Sequence, residues 1–76
     1  MVNPIVYPNP TAERITLLVG GRSLIGTNAV LLDANGRLLE NIKITAGSQT
    51  ILLGKYSNGI YFIRLNNKEV MRVVKQ

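Results

Sequence analysis

Few side chains in this sequence can do chemistry, and they are far apart. The carboxylates are Glu13, Asp33, Glu40 and Glu69, scattered between strand-like segments, and there is no cysteine and no histidine. Without a thiol there is no disulfide framework, thiolate metal site or thiol nucleophile. Without an imidazole there is no Ser-His-Asp relay and no ordinary zinc centre. The expectation is a chain that is not an enzyme and carries no metal or cofactor. Gly20-Gly21-Arg22-Ser23-Leu24-Ile25-Gly26-Thr27 is rich enough in glycine to suggest a phosphate cradle. It lacks the Gly-Lys-Ser/Thr ending and any following helix, so a turn or bulge is the better reading.

Charge offers a second kind of chemistry. Nine Lys and Arg residues against four acids leave a formal charge of +5, which suits phosphate, lipopolysaccharide or an acidic protein surface equally. The cations are spread along the chain, and the aromatic residues are Tyr7, Tyr56, Tyr61 and Phe62. Nucleic-acid binders concentrate charge and interleave it with stacking rings, so nucleic acid is not an expected partner. Charged side chains on exposed strands also discourage edge-to-edge pairing, a use that involves no partner at all.

The elements that position these groups follow from turn spacing. Seventy-six residues, 46% of them hydrophobic, make one small domain over residues 1–76. No apolar run approaches the roughly 18 residues of a membrane helix, and the start lacks the basic-then-apolar order of a signal peptide. Turn signals recur at Asn35-Gly36, Ala46-Gly47-Ser48, Ser57-Asn58-Gly59 and Asn66-Asn67, with others nearer the start. Between them the sequence predicts strands over 5–7, 14–19, 28–33, 38–45, 49–53, 59–65 and 69–75, with no helix.

Side chains two apart on a strand share a face, so Ile15, Leu17 and Val19 are expected inside. Ile42 and Ile44, alternating with Lys43 and Thr45, mark a half-buried strand. Ala29-Val30-Leu31-Leu32 is apolar on both faces, as in a central strand or one whose outer face meets another surface; Val30 and Leu32 are the favoured core pair. Asn35-Gly36 predicts a type I′ hairpin turn, with Asp33 bonding backbone N–H groups ahead of it. Asn66-Asn67 predicts a second tight turn, leaving the last strand at an edge.

Ser57-Asn58-Gly59-Ile60-Tyr61 looks like the tyrosine corner of immunoglobulin-like sandwiches, in which a tyrosine at a strand start returns its hydroxyl to nearby backbone. Tyr61 is then a structural residue, with Ile63 and Leu65 continuing its inward face. The fold these features predict is all-β, a seven-stranded antiparallel immunoglobulin-like β-sandwich.

Four motifs in fixed order carry a family likeness: Val6-Tyr7-Pro8-Asn9-Pro10, Leu32-Asp33-Ala34-Asn35-Gly36-Arg37, Asn58-Gly59-Ile60-Tyr61-Phe62-Ile63-Arg64-Leu65 and Val73-Val74-Lys75-Gln76. Together they closely resemble the C-terminal sorting domain of the type IX secretion system of Bacteroidota, over nearly the whole chain. The resemblance implies a non-enzymatic address label on an upstream cargo protein, exported through the periplasm to the cell surface or extracellular space. It implies recognition by an outer-membrane shuttle protein and a cell-surface sortase, which usually removes the domain by cutting before it.

By the same resemblance, Pro8, Asn9 and Pro10 form a structural motif, the prolines directing the chain into its first turn. Asp33, Gly36, Gly59 and Tyr61 shape turns, while Arg37 offers a charged head to a partner or to a surface ion pair. Val73, Val74, Lys75 and Gln76 correspond to the segment that the export machinery needs, and strand addition along this edge is one way it could be read. The same edge invites homodimers or strand exchange between isolated copies. The sequence departs from the family pattern at Gly54-Lys55-Tyr56, which leaves the path of that loop open. A generic immunoglobulin-like adhesive or structural module is the alternative reading.

Overall fold

Valine, isoleucine and threonine at every second residue favour extended backbone, because their branched side chains fit a pleated, half-buried surface. In a computed structural model, which describes residues 4–7, 12–20, 24–66 and 69–76, these runs form seven strands. They are β1 (Ile5–Tyr7), β2 (Arg14–Leu18), β3 (Asn28–Asp33), β4 (Leu38–Lys43), β5 (Ser48–Leu52), β6 (Gly59–Arg64) and β7 (Val70–Lys75). Each agrees with a predicted strand to within one or two residues.

The strands make two antiparallel sheets, a three-stranded one in the order β1-β2-β5 and a four-stranded one in the order β4-β3-β6-β7. One apolar core joins them: Ile15, Leu17 and Ile51 from the smaller sheet meet Leu31, Ile63 and Val73 from the larger. Ile63 is fully buried and pairs with Leu31 on one side and Met71 on the other, which puts it in the middle of the larger sheet.

The expected burial of Ile15, Leu17 and Val19 holds, and so does the alternation at Ile42 and Ile44. Val30 and Leu32, the expected core pair, lie on the opposite face of β3. Ala29 and Leu31 are fully buried, and Val30 and Leu32 point away from the smaller sheet. The cause is register: Leu31 stands opposite Ile63, whereas Val30 stands opposite Arg64 and Leu32 opposite Phe62. Paired residues share a face, so an outward Arg64 carries Val30 outward with it.

The β3–β4 hairpin also differs from its expected form. Gly36 donates its N–H to the Asp33 carbonyl and Asp33 donates to the Arg37 carbonyl, each at 3.0 Å, so the central pair is Ala34-Asn35 rather than Asn35-Gly36. Gly36 follows at φ 85°, a left-handed conformation that glycine adopts without a Cβ clash. This is the three-residue hairpin, a tight turn followed by a left-handed glycine, and not a two-residue type I′ turn. A register shift then places Leu31 opposite Glu40 and Leu32 opposite Leu38. The extra residue, Leu39, packs on the core.

Candidate functional site

The separated sequence motifs meet at one end of the four-stranded sheet. Asp33 pairs with Tyr61 and Tyr61 with Val73, so β3, β6 and β7 bring three motifs side by side. At the usual spacing of about 4.8 Å between strands, they span roughly 10 Å. Just beyond this row lie the Ala34–Arg37 hairpin tip, the Asn58-Gly59 turn and Lys75 opposite Gly59. A shallow concavity of about 210 Å³ between the tip and the turn is lined by Asp33, Asn35, Ser57, Asn58, Gly59 and Tyr61, among others.

Local bonds hold each part of this end in place. Asp33 Oδ1 accepts the backbone N–H of Asn35 at 2.9 Å and of Arg37 at 2.8 Å, and Oδ2 lies 3.3 Å from Arg37 Nε. Asp33 thus bonds the turn ahead of it as its position predicts. The Arg37 side chain is 80% exposed despite this ion pair, so its guanidinium still faces solvent. Such a solvent-exposed pair contributes little to stability, leaving the cation available to a stronger partner. Tyr61, buried at 6% exposure, donates its hydroxyl to the Ser57 carbonyl at 2.5 Å, which completes the expected tyrosine corner. Gly59 opens β6 at φ 153°, where L side chains are strained, and a Cβ there would meet nothing within 4 Å. The constraint at Gly59 is therefore one of backbone conformation rather than space.

The four terminal residues play different parts. Val73 is fully buried in the core, Val74 and Lys75 are half-buried, and Gln76 is exposed. Lys75 Nζ donates to Asn58 Oδ1 at 3.2 Å, tying the last strand to the β5–β6 turn. β7 is outermost in its sheet, as expected, and Arg72 and Val74 on it each make a further interaction. Pro8, Asn9 and Pro10 lie outside the described residues, as do part of the glycine-rich stretch and Asn67. The described part of the β6–β7 turn is closed by the Leu65 N–H donating to the Glu69 carbonyl at 2.8 Å.

One cluster was not legible beforehand. Tyr56 donates its hydroxyl to Glu40 Oε2 at 2.6 Å, and Lys55 Nζ lies 3.8 Å from the same oxygen and 5.4 Å from the Tyr56 ring centre. Burial pushes the Tyr56 hydroxyl up to about 12, and the Glu40 carboxylate adds to the rise. The Tyr56 ring in turn leans on Tyr61, with centroids 5.8 Å apart. This settles the path of 54–56: the loop turns inward, closed by the Tyr56 N–H donating to the Leu53 carbonyl at 3.0 Å. Sequence spacing held no signal for it, since 16 residues separate Glu40 from Tyr56.

The Asp33 turn makes a pH prediction. The Arg37 backbone N–H holds the Asp33 carboxyl below its ordinary value of 3.8, with the Asn35 N–H and the Arg37 charge adding against partial dehydration. A carboxylate favoured in the folded state stabilises the fold above its unfolded pKa, and that contribution disappears as pH falls through the lower folded value. Asp33→Ala should therefore melt below the parent at about pH 6, and the gap should narrow as pH falls below the ordinary carboxyl value of 3.8. Thermal melts followed by circular dichroism measure it; a gap constant across that range would contradict this assignment.

The profile of one protein family, described as the secretion system C-terminal sorting domain, matches residues 5–76. Among curated proteins, the chain is similar to beta-agarase A of Zobellia galactanivorans, 27% identical over 70 residues, covering 92% of this chain and 13% of that protein. No solved structure matches. The motifs that meet at one end of the larger sheet and a family match over nearly every residue lead to one conclusion: this chain belongs to the secretion system C-terminal sorting domains, the tails that direct proteins through the type IX system to the cell surface or beyond.

Proposed function

We propose that the domain acts as a rigid, non-catalytic label, an immunoglobulin-like sandwich read as a folded surface at the end where Asp33, Gly36, Arg37, Gly59, Tyr61 and residues 73–76 converge. The single observation that carries this reading is that convergence: motifs dozens of residues apart stand on neighbouring strands in one row. Three strands facing four across one core, with a tyrosine corner at the start of β6, support the immunoglobulin-like form. Most of these residues set backbone geometry, and Arg37, Val74, Lys75 and Gln76 present what a receptor touches. The receptors are an outer-membrane shuttle protein and a cell-surface sortase, and the domain is joined to the cargo it addresses.

The test is a fluorescent reporter that carries a periplasmic export signal and this domain at its C-terminus, expressed in a Bacteroidota host that has the system. The reporter should reach the cell surface or the medium only with the domain attached. Equal periplasmic retention with and without the domain would sink the reading.

A further inference from the structure

The four-stranded sheet turns one face to the core, and among the described residues nothing packs over the other, which is not a typical solvent face. An antiparallel sheet with one wet side normally alternates apolar-in with polar-out. Here the outward positions include Val30 and Leu32 on β3, Leu38 on β4, Ile60 and Phe62 on β6, and Val74 on β7, with Val70 set apart from them by Arg64 and Arg72, and with Asn28 and Asn41 as the uncharged polar positions. Leu38 is 50%, Ile60 42% and Val70 52% exposed. Leu38, Leu32 and Phe62 stand in one row across three strands, with Ile60 and Val74 paired in the next. A contiguous apolar patch with a central aromatic ring is the usual mark of a contact surface.

Among the described residues, the charged side chains on this face all have one sign. Lys43, Arg64 and Arg72 occupy outward positions on β4, β6 and β7. None of the chain's carboxylates does: Asp33 is held in its turn, Glu40 reaches Tyr56, Glu69 precedes β7 on the opposite parity, and Glu13 precedes β2 in the other sheet. The apolar rows lie toward the end where the motifs converge, and Lys43 and Arg64 lie toward the other end.

Resting on the sorting reading above, we propose that this face docks a protein of the export machinery whose surface is apolar at its centre and carries carboxylates where Lys43 and Arg64 meet it. Complementary charge gives such a contact its orientation and its encounter rate, while the apolar centre holds it. A second copy of the chain fits poorly, because two-fold pairing would set cations against cations with no carboxylate between them. A lipid surface fits poorly too: anionic membranes are read by clusters of about four to eight basic residues, with Trp or Tyr at the interface, and among the described residues this face has neither.

The experiment uses the reporter fusion in the same host, with purified domain alongside. Phe62→Gln and, separately, Arg64→Glu should each lower export about tenfold or more, as expected when a central anchor or its charge partner is lost. Arg64→Lys should keep most of it. Leu52→Gln, on the outer face of the other sheet, should export like the parent, and melting temperatures should show that all four variants fold. Parent-like export by both Phe62→Gln and Arg64→Glu would overturn the proposal. So would dimers in sedimentation that Phe62→Gln dissolves, which would make a second copy the occupant. Flotation with phosphatidylethanolamine–phosphatidylglycerol vesicles, lost in Arg64→Glu, would make it a membrane. Failure of the unaltered fusion to leave the cell is a separate result, which overturns the sorting reading and this proposal with it.

Discussion

A cargo fusion lacking residues 73–76 is expected to stay in the periplasm with its cargo folded. The deletion has two effects. It takes fully buried Val73 from the core, and it removes the partners of Gly59, Ile60 and Tyr61 across the β6–β7 ladder. Losing the Val73 side chain alone costs about 2 kcal/mol. It also removes Val74, Lys75 and Gln76 from the end where the other motifs converge, and with them the bond from Lys75 to Asn58. Substitution separates the two effects. Val73→Ala weakens the core and leaves the surface in place, whereas Lys75→Ala with Gln76→Ala changes the surface and spares the core. If a receptor reads this end, export should fall in the double variant while its melting temperature stays near the parent's. Normal export of the truncated fusion would refute the role assigned to the segment.

Replacing Ile63 by alanine should lower the unfolding free energy by about 3–4 kcal/mol, within the range for large-to-small changes at fully buried sites. Ile63 is fully buried and central, with Leu31 and Met71 beside it and the smaller sheet across the core. Closely packed strands cannot collapse into the space it leaves, so the cavity adds to the lost transfer energy. For 76 residues the total stability is only about 4–11 kcal/mol. One side chain is thus a large share of it, and the variant should melt well over 10 °C lower, at about 4–8 °C per kcal/mol. Urea titration of the isolated domain measures the change, and a midpoint within error of the parent would show that Ile63 is not central to the core. In the export assay the same variant asks whether the machinery requires a folded domain.

Much of this molecule was legible residue by residue. Alternation placed Ile15, Leu17 and Val19 inside, because with a period of two their face is wholly apolar while the other carries Arg14 and Thr16 beside Leu18. Asp33 and Tyr61 disclosed their bonds in advance, since each reaches a partner within four residues along the chain. The run Ala29-Val30-Leu31-Leu32 behaved differently: apolar on both faces, it fits either register equally well. Only pairing with β6, where Arg64 must face water, put Leu31 rather than Val30 and Leu32 in the core. The same ambiguity concealed the apolar outer face of the larger sheet.

The sequence alone therefore determined the number and order of strands, the ends of most turns and the family motifs, because short-range conformational preference and apolar period act within a few residues. Tertiary structure alone decided which side of β3 is buried, how Glu40 comes to meet Tyr56, and that Asp33, Tyr61 and Val73 share a row. These depend on register between strands distant in sequence, which is set by how side chains from both sheets fill one core and by which charged groups must remain in water.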